Sequence, residues 1–324
     1  MILKIFNGRN ELLQFIIVIA FSVLLFFQPV AIAENSGFNP LYDLFIGFIN
    51  GNQILLRVFF ILLVVSPIIL TQFFIESNAI IERRNKHFLF IAPLLIFSNP
   101  VAWVLSPPLV SLIFIVISFG FVVNSDENDK SIASYSSAAI ILSIGSMFYS
   151  IIGFNIILLF LALKLFKQFR IRDFFAVMLS FIVPYLYLFT YYFVNDELAI
   201  KWTNFTDQFF NFGFDISFGN NTFDTVYIII LLLISIFVVS TIAVNQRNNL
   251  IQVRKFNSFI FWGLLNSLLL VLIAGDNSLY HFIIITFFVA IFYSIFLASK
   301  KLVWIFEIII SFYLLHTLYI MWLF

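Results

Sequence analysis

Six residues are candidates for chemistry in a chain that is otherwise mostly apolar: Glu34, Asp43, Arg57, Trp202, Asp276 and His281. A carboxylate such as Glu34 or Asp43 can act as base on an acceptor hydroxyl or hold a divalent cation. Arg57 offers a planar fork of donors that matches phosphate. His281 can move a proton or hydrogen-bond a phosphate oxygen. Such a set suits transfer from a lipid-linked phosphate donor, with Glu34, Asp43 and His281 in catalytic roles and Arg57, Asp276 and Trp202 holding the substrate. Each residue also has a plainer reading. Arg57 can snorkel to lipid headgroups, Asp43 can be the wet side of a surface helix, and Asp276 and His281 can be loop residues without a role.

The elements that must position these residues are membrane helices. Hydrophobic residues make up 63% of the chain and charged residues 10%, with a mean hydropathy of +1.10. Soluble domains carry roughly 45–50% apolar and about 25% charged residues. A water-soluble fold cannot hide so much apolar surface, so the solvent is lipid. The 47 phenylalanines read as membrane packing, and the net charge of +1 implies no nucleic-acid partner. The partners expected are membrane lipids, polyprenyl-phosphate carriers among them, and other membrane proteins. With no cysteine, disulfides, thiol catalysis and thiolate metal sites are excluded. His87, His281 and His316 are the only histidines, so no metal centre is expected. No P-loop, GxGxxG, HExxH or GxSxG context occurs, and no pattern designates a cofactor.

Apolar runs predict an all-α polytopic bundle, one integral membrane domain over residues 1–324 with about eleven spans. These fall at about 12–32, 53–75, 88–104, 107–123, 132–148, 152–166, 174–194, 225–244, 257–274, 281–299 and 302–323. Asn99, Pro100, Pro107 and Pro108 interrupt the third and fourth, which can form a re-entrant hairpin or kinked helices. The first run follows Lys4 and Arg9 and precedes Ala31-Ile32-Ala33, so residues 1–33 are either the first span or a cleaved signal peptide. The span is the reading adopted.

Charge placement orients the bundle. With the N-terminus in the cytoplasm, 15 of the 17 basic residues fall in cytoplasmic loops, leaving only Lys201 and Arg57 on the other side. The C-terminus is then periplasmic, and the location is a bacterial inner membrane. Glu34, Asp43, Asp196, Glu197, Asp207, Asp215, Asp224 and Asp276 share the periplasmic side. This acidity reflects either the exclusion of positive charge or a site for a cation, a proton or a polar substrate. All six candidate residues belong to that side.

Two periplasmic segments read as interfacial helices. One runs through Pro40-Leu-Tyr-Asp-Leu-Phe-Ile-Gly-Phe-Ile49. The other spans Trp202 to Phe214, where Phe205, Phe209 and Phe212 recur at helical spacing. The aromatics of the second are either membrane anchors or a lid over a lipid-facing cavity.

Several segments together resemble a family of multi-pass inner-membrane proteins of Bacteroidota, chiefly flavobacterial. They are Ser134–Leu163 (SYSSAAIILSIGSMFYSIIGFNIILLFLAL), Phe169-Arg-Ile-Arg-Asp-Phe-Phe175, Phe181-Ile-Val-Pro-Tyr185 and Lys300-Lys301-Leu-Val-Trp-Ile-Phe-Glu307. The resemblance covers most of the chain and implies a source and a location but no reaction. The order of elements is also similar to GT-C-type glycosyltransferases, which bear an acidic residue on a first external loop next to an interfacial helix. That likeness points to Glu34 and Asp43, neither of which stands in an Asp-x-Asp or Glu-x-Asp pattern.

Two function classes follow: a GT-C-like transferase acting on a polyprenyl-phosphate sugar, and a non-catalytic membrane subunit or scaffold of an envelope or secretion assembly. Transport is the weaker reading. Pro67, Pro93 and Pro184 lie within spans, but no ionisable group lies near the middle of any of these spans.

Overall fold

The computed structural model describes residues 30–33, 37–49, 51–78, 80, 86–99, 103–125, 131–166, 170–210, 222–245, 250–274, 278–298 and 303–323, together with Val23. In chain order they form strand β1 (Ala31–Ile32), helices α1 (Pro40–Ile49), α2 (Gln53–Ser77) and α3 (His87–Phe97), and strand β2 (Val104–Leu105). There follow α4 (Pro107–Val123), α5 (Ser131–Phe148), a 3₁₀ turn (Ser150–Asn155), α6 (Ile156–Phe166) and α7 (Ile171–Val194). The chain continues through α8 (Leu198–Phe210), α9 (Thr222–Asn245), α10 (Ile251–Ile273), α11 (Ser278–Ala298) and α12 (Val303–Leu323). Among the described residues, apart from one strand pair, this is an all-α membrane protein. Among the described residues, α2, α7, α9, α10 and α11 are each long and apolar enough to cross a bilayer. Most of the expected first span, Glu34, Asp276 and positions 211–214 of the expected second surface helix lie outside the described residues.

Local chemistry accounts for the helix boundaries. The side chain of Asn52 accepts from the N–H groups of Ile54 and Leu55 (3.1 and 3.2 Å), capping α2. Pro107 and Pro108 open α4, where a missing N–H is no loss. Both expected loop segments are helical where described, the first as α1 and the second as α8, which begins at Leu198 rather than Trp202 and is described to Phe210.

The third expected span differs from its prediction. A single crossing over 88–104 is expected, but α3 stops at Phe97 after 11 residues. That is about 16 Å of rise, half of a hydrocarbon core of about 30 Å. Pro100 stops it, lacking an N–H and disfavouring helix in the residue before it. Val104–Leu105 is extended and pairs in parallel with Ala31–Ile32. The N–H of Ala33 also donates to Leu105 O (2.9 Å). This corrects the first span as well, because Ala31 and Ile32 are strand and not the last helical turn. Extended backbone survives in such a protein only where protein covers it, and Leu105 and Ser106 are both fully buried.

The broken end of α3 is closed by side chains. Leu95 O accepts from the hydroxyls of Ser98 (2.9 Å) and Tyr227 (3.0 Å). Phe97 O accepts from Trp103 Nε1 (3.2 Å), and Ser98 O from His316 Nδ1 (2.8 Å). His316 also stacks on Tyr227, with centroids 4.9 Å apart.

Burial ranks the helices. The apolar window of α11 is 89% buried, making it the central helix, whereas that of α7 is 6% buried, making it peripheral. Every residue of α3 is buried. Helix ends gather in two layers. At one, Asn78 after α2 donates to Asn124 after α4 (2.8 Å) and accepts from Gln252 in the first turn of α10 (3.4 Å). At the other, Asn39 before α1 accepts from the N–H of Ser150 (2.9 Å), and Asn266 late in α10 donates to Asn155 (2.6 Å). These are called here the Asn78 end and the Asn39 end.

Gly120 of α4 lies under the ring of Phe74 of α2, and any Cβ there would collide with that ring. Small residues allow such approach between helices in a membrane. Gly120→Ala is expected to lower stability by about 1–3 kcal/mol through overpacking. Adding Phe74→Leu to that variant should return most of the loss. Thermal unfolding of the purified protein in detergent checks both, and an unshifted midpoint for Gly120→Ala contradicts the contact.

Candidate functional site

The candidate residues that the structure describes gather at the Asn39 end, around α1. Tyr42 is the anchor of that helix. Its side chain is almost fully buried, and its hydroxyl donates to Leu105 O (2.8 Å), with Ala33 O also near (3.4 Å). One phenol thus locks α1 onto both strands. Burial raises the pKa of this hydroxyl well above the usual phenol value, and the nearby Tyr280 and Asp43 raise it further. Tyr42 therefore stays protonated as a donor. The same proximity brings the Asp43 turn of α1 close to the first turn of α11, where Tyr280 and His281 lie.

Asp43 itself is exposed on the first turn of α1. Arg57 is half-buried early in α2. The two helices meet through Phe45 and Phe59 (centroids 5.3 Å) and through Phe48 and Phe59 (6.5 Å). Asp43 and Arg57 each stand two residues before a ring of this contact, a spacing that puts them on a different helix face from it.

His281 is inside the bundle, fully buried. Its Nε2 lies 3.1 Å from Ser267 O, and its Nδ1 lies 3.1 Å from the Tyr149 hydroxyl. A carbonyl only accepts, so Nε2 carries the hydrogen and Nδ1 accepts from Tyr149. Both nitrogens are engaged and the ring is neutral in this arrangement. His281 thus joins α10, α11 and the turn after α5, one residue below Tyr280.

Trp202 is half exposed on α8 and packs against Phe189 of α7 (5.3 Å) and Phe205 (5.9 Å). Phe38, leading into α1, meets both Tyr192 (6.5 Å) and Phe205 (5.5 Å). Lys201 Nζ lies 5.6 Å from the centre of the Tyr192 ring. The structure therefore joins Asp43, Tyr280, His281, Lys201 and Trp202 in one region, with Arg57 at its α2 edge. Glu34 and Asp276, expected to complete it, lie outside the described residues.

The arrangement offers an exposed carboxylate, a cation over an aromatic ring and an aromatic wall, all above a layer of closed hydrogen bonds. Among the described residues no group of three or more His, Asp or Glu side chains is placed to hold a metal ion. Sequence reasoning missed Tyr42, Tyr149 and Asn39. The Asn39-Pro40 pair, a helix-start signal, marks Asn39, whereas nothing local marks the two tyrosines.

Tyr149→Phe removes the donor to a buried imidazole nitrogen and is expected to destabilise the protein by about 1–3 kcal/mol. Asp43→Asn, at an exposed position, should stay within about 0.5 kcal/mol of the parent. Thermal melts of the two variants side by side test the assignment of one residue to the framework and the other to the surface. Comparison of the chain with protein-family models, with curated proteins and with solved structures gave no match.

Proposed function

We propose that the chain is a multi-pass protein of a bacterial inner membrane. Its N-terminus is cytoplasmic, its C-terminus is periplasmic, and about eleven segments cross the bilayer. The Asn78 end is the cytoplasmic one and the Asn39 end the periplasmic one. Support comes from the helix ends. The charge pattern assigns Asn78, Asn124 and Gln252 to one side and Asn39 and Ser150 to the other, and each set is internally hydrogen-bonded. In this reading the third crossing is a half-helix completed by extended chain.

The protein acts at its periplasmic end on a lipid-linked sugar, as a GT-C-like transferase using a polyprenyl phosphate. The observation that carries this reading is the convergence of the Asp43 helix on the Tyr280–His281 turn beside Lys201 and Trp202. Asp43 serves as the carboxylate toward an acceptor hydroxyl, and Arg57 and Lys201 supply positive charge for phosphate. His281 holds the floor of the site through Tyr149 rather than touching substrate. A second reading, a membrane subunit or scaffold of an envelope assembly, draws support from the exposed apolar face of α7, including Phe175, Leu179, Leu186 and Tyr187.

Two experiments test these statements. The chain has no native cysteine, so Asp207→Cys and Lys255→Cys report sidedness cleanly. A membrane-impermeant thiol reagent applied from the periplasm is expected to label position 207 and not 255, and the opposite pattern refutes the orientation. For activity, a strain lacking the chain should accumulate polyprenyl-phosphate-linked sugar, measured by mass spectrometry of lipid extracts. The wild-type chain should clear it, while Asp43→Asn and Arg57→Ala insert normally but fail to. An unchanged lipid-linked sugar pool in the deletion strain ends the transferase reading and leaves the scaffold.

A further inference from the structure

At the Asn78 end, where α2, α4 and α6 finish and α10 begins, lies a recess of about 320 Å³. This falls within the range of about 300–1,000 Å³ that small-molecule sites occupy. Its lining is mixed. Asn78, Ser125, Gln252 and Lys255 are polar, while Ile80, Phe166 and their neighbours are apolar. Among the described residues that line it, Lys255 carries the one charge. The polar groups are held in place by hydrogen bonds. Asn78 joins Asn124 and Gln252, and the Ser125 hydroxyl donates to Val122 O (2.6 Å).

The start of α10 makes this recess electropositive. Ile251, Gln252 and Lys255 all line it, and their i, i+3 and i, i+4 spacing puts them on one helix face. The helix opens after Leu250, which offers no capping side chain, and its first turn holds no acid. Its first intrahelical bond runs from the Arg254 N–H to Leu250 O (3.0 Å). The N–H groups of Ile251, Gln252 and Val253 therefore have no acceptor within the helix. The 23 residues of α10 also bring the positive end of a helix dipole to this place. Acids are the favoured residues at such an end, yet Lys255 stands one turn in. Side-chain and backbone positive charge thus add together, with no carboxylate among the described lining residues to offset them. Glu76, near the end of α2, does not line the recess and accepts from Gln72 Nε2 (2.6 Å).

We propose that this recess binds an anionic phosphate group carried on an apolar body. The phosphate oxygens meet Lys255 and the start of α10, where an ammonium and backbone donors act on one anion. The apolar body lies against Ile80 and Phe166. Two sources carry this chemistry: an anionic phospholipid of the adjoining leaflet and a soluble phosphate ester. Basic pockets between membrane helices hold lipid headgroups by the same forces. The site uses no residue of the Asn39 end. It goes beyond the transferase reading and stands or falls separately from it.

The test uses the full chain purified from membranes and has two arms. In the first, the chain is reconstituted in vesicles of equal parts phosphatidylglycerol and digalactosyl diacylglycerol, which has a similar apolar body but no phosphate. Native mass spectrometry of the chain taken back into detergent counts the lipids retained. About tenfold preference for one phosphatidylglycerol per chain, the discrimination expected of charge-assisted hydrogen bonds, identifies the phospholipid as the source. In the second arm the delipidated chain is melted with and without phenyl phosphate. A raised midpoint without lipid retention identifies a soluble ester. Lys255→Gln should weaken whichever effect is seen by about tenfold. Ile251→Glu puts an acid into the recess and should abolish binding, although an acid at a helix N-terminus favours the fold, so the loss is not one of folding. Equal retention of the two lipids together with an unshifted midpoint overturns the proposal. So does an effect that Lys255→Gln and Ile251→Glu both leave unchanged. The lipid-linked sugar assay has no bearing on these outcomes.

Discussion

A helix that ends inside an apolar bundle must hand its last carbonyls to other donors, and this constraint organises the middle of the molecule. The last four carbonyls of any helix lack intrahelical partners, and each one left buried and unmatched costs about 1–3 kcal/mol. For α3 all are satisfied. Leu94 O takes the Ser98 N–H and Ile96 O the Asn99 N–H. Leu95, Phe97 and Ser98 draw on Tyr227, Trp103 and His316. Those donors come from α9, from the residue just before β2 and from α12, so termination of one short helix fixes three other pieces of chain against it.

The same logic extends outward. Beyond α3, Val104 and Leu105 run extended and present a second set of backbone groups, which the β1–β2 pair and Tyr42 absorb. Tyr42 belongs to α1, so the surface helix that carries Asp43 is positioned by the unpaired backbone beneath it. Asn39 repeats the device one turn earlier by accepting from Ser150. Polar side chains thus form a continuous tie from the interior to the Asn39 end, while aromatic contacts such as Phe45 with Phe59 and Phe119 with Phe259 (4.8 Å) fill the space between helices.

Function is read from what this framework leaves available. His281 has chemistry suited to catalysis but spends both nitrogens on structure. Asp43, Lys201 and Trp202 are held by the framework yet have exposed or partly exposed side chains. The peripheral helix α7 contributes little to the core, and its exposed apolar face is suited to lipid. A buried interior beside an exposed α7–α8 corner is an arrangement that lets lipid reach polar groups without opening the bundle.

Composition placed this chain in a membrane, and apolar runs too long for barrel strands made it helical, because in lipid only helices and closed barrels satisfy the backbone. Apolar run lengths located α2, α7, α9 and α11 to within about three residues and α10 to within about six, and aromatic spacing marked part of α8 as helical. The proline pair and Asn99-Pro100 marked where regularity fails. What replaces the helix there was decided by tertiary structure, since the pairing of Leu105 with Ile32 joins residues far apart in the chain. Tyr42, Tyr149 and Tyr227 were likewise illegible as polar anchors. A tyrosine in an apolar run looks like any other aromatic until the fold brings a carbonyl or an imidazole to its hydroxyl. His281 was visible as a polar residue at a span boundary, but only the packing of α10 and α5 against α11 turned it inward. The reason is physical: burial and hydrophobicity act locally along a sequence, whereas a hydrogen-bond partner is a property of three-dimensional neighbours.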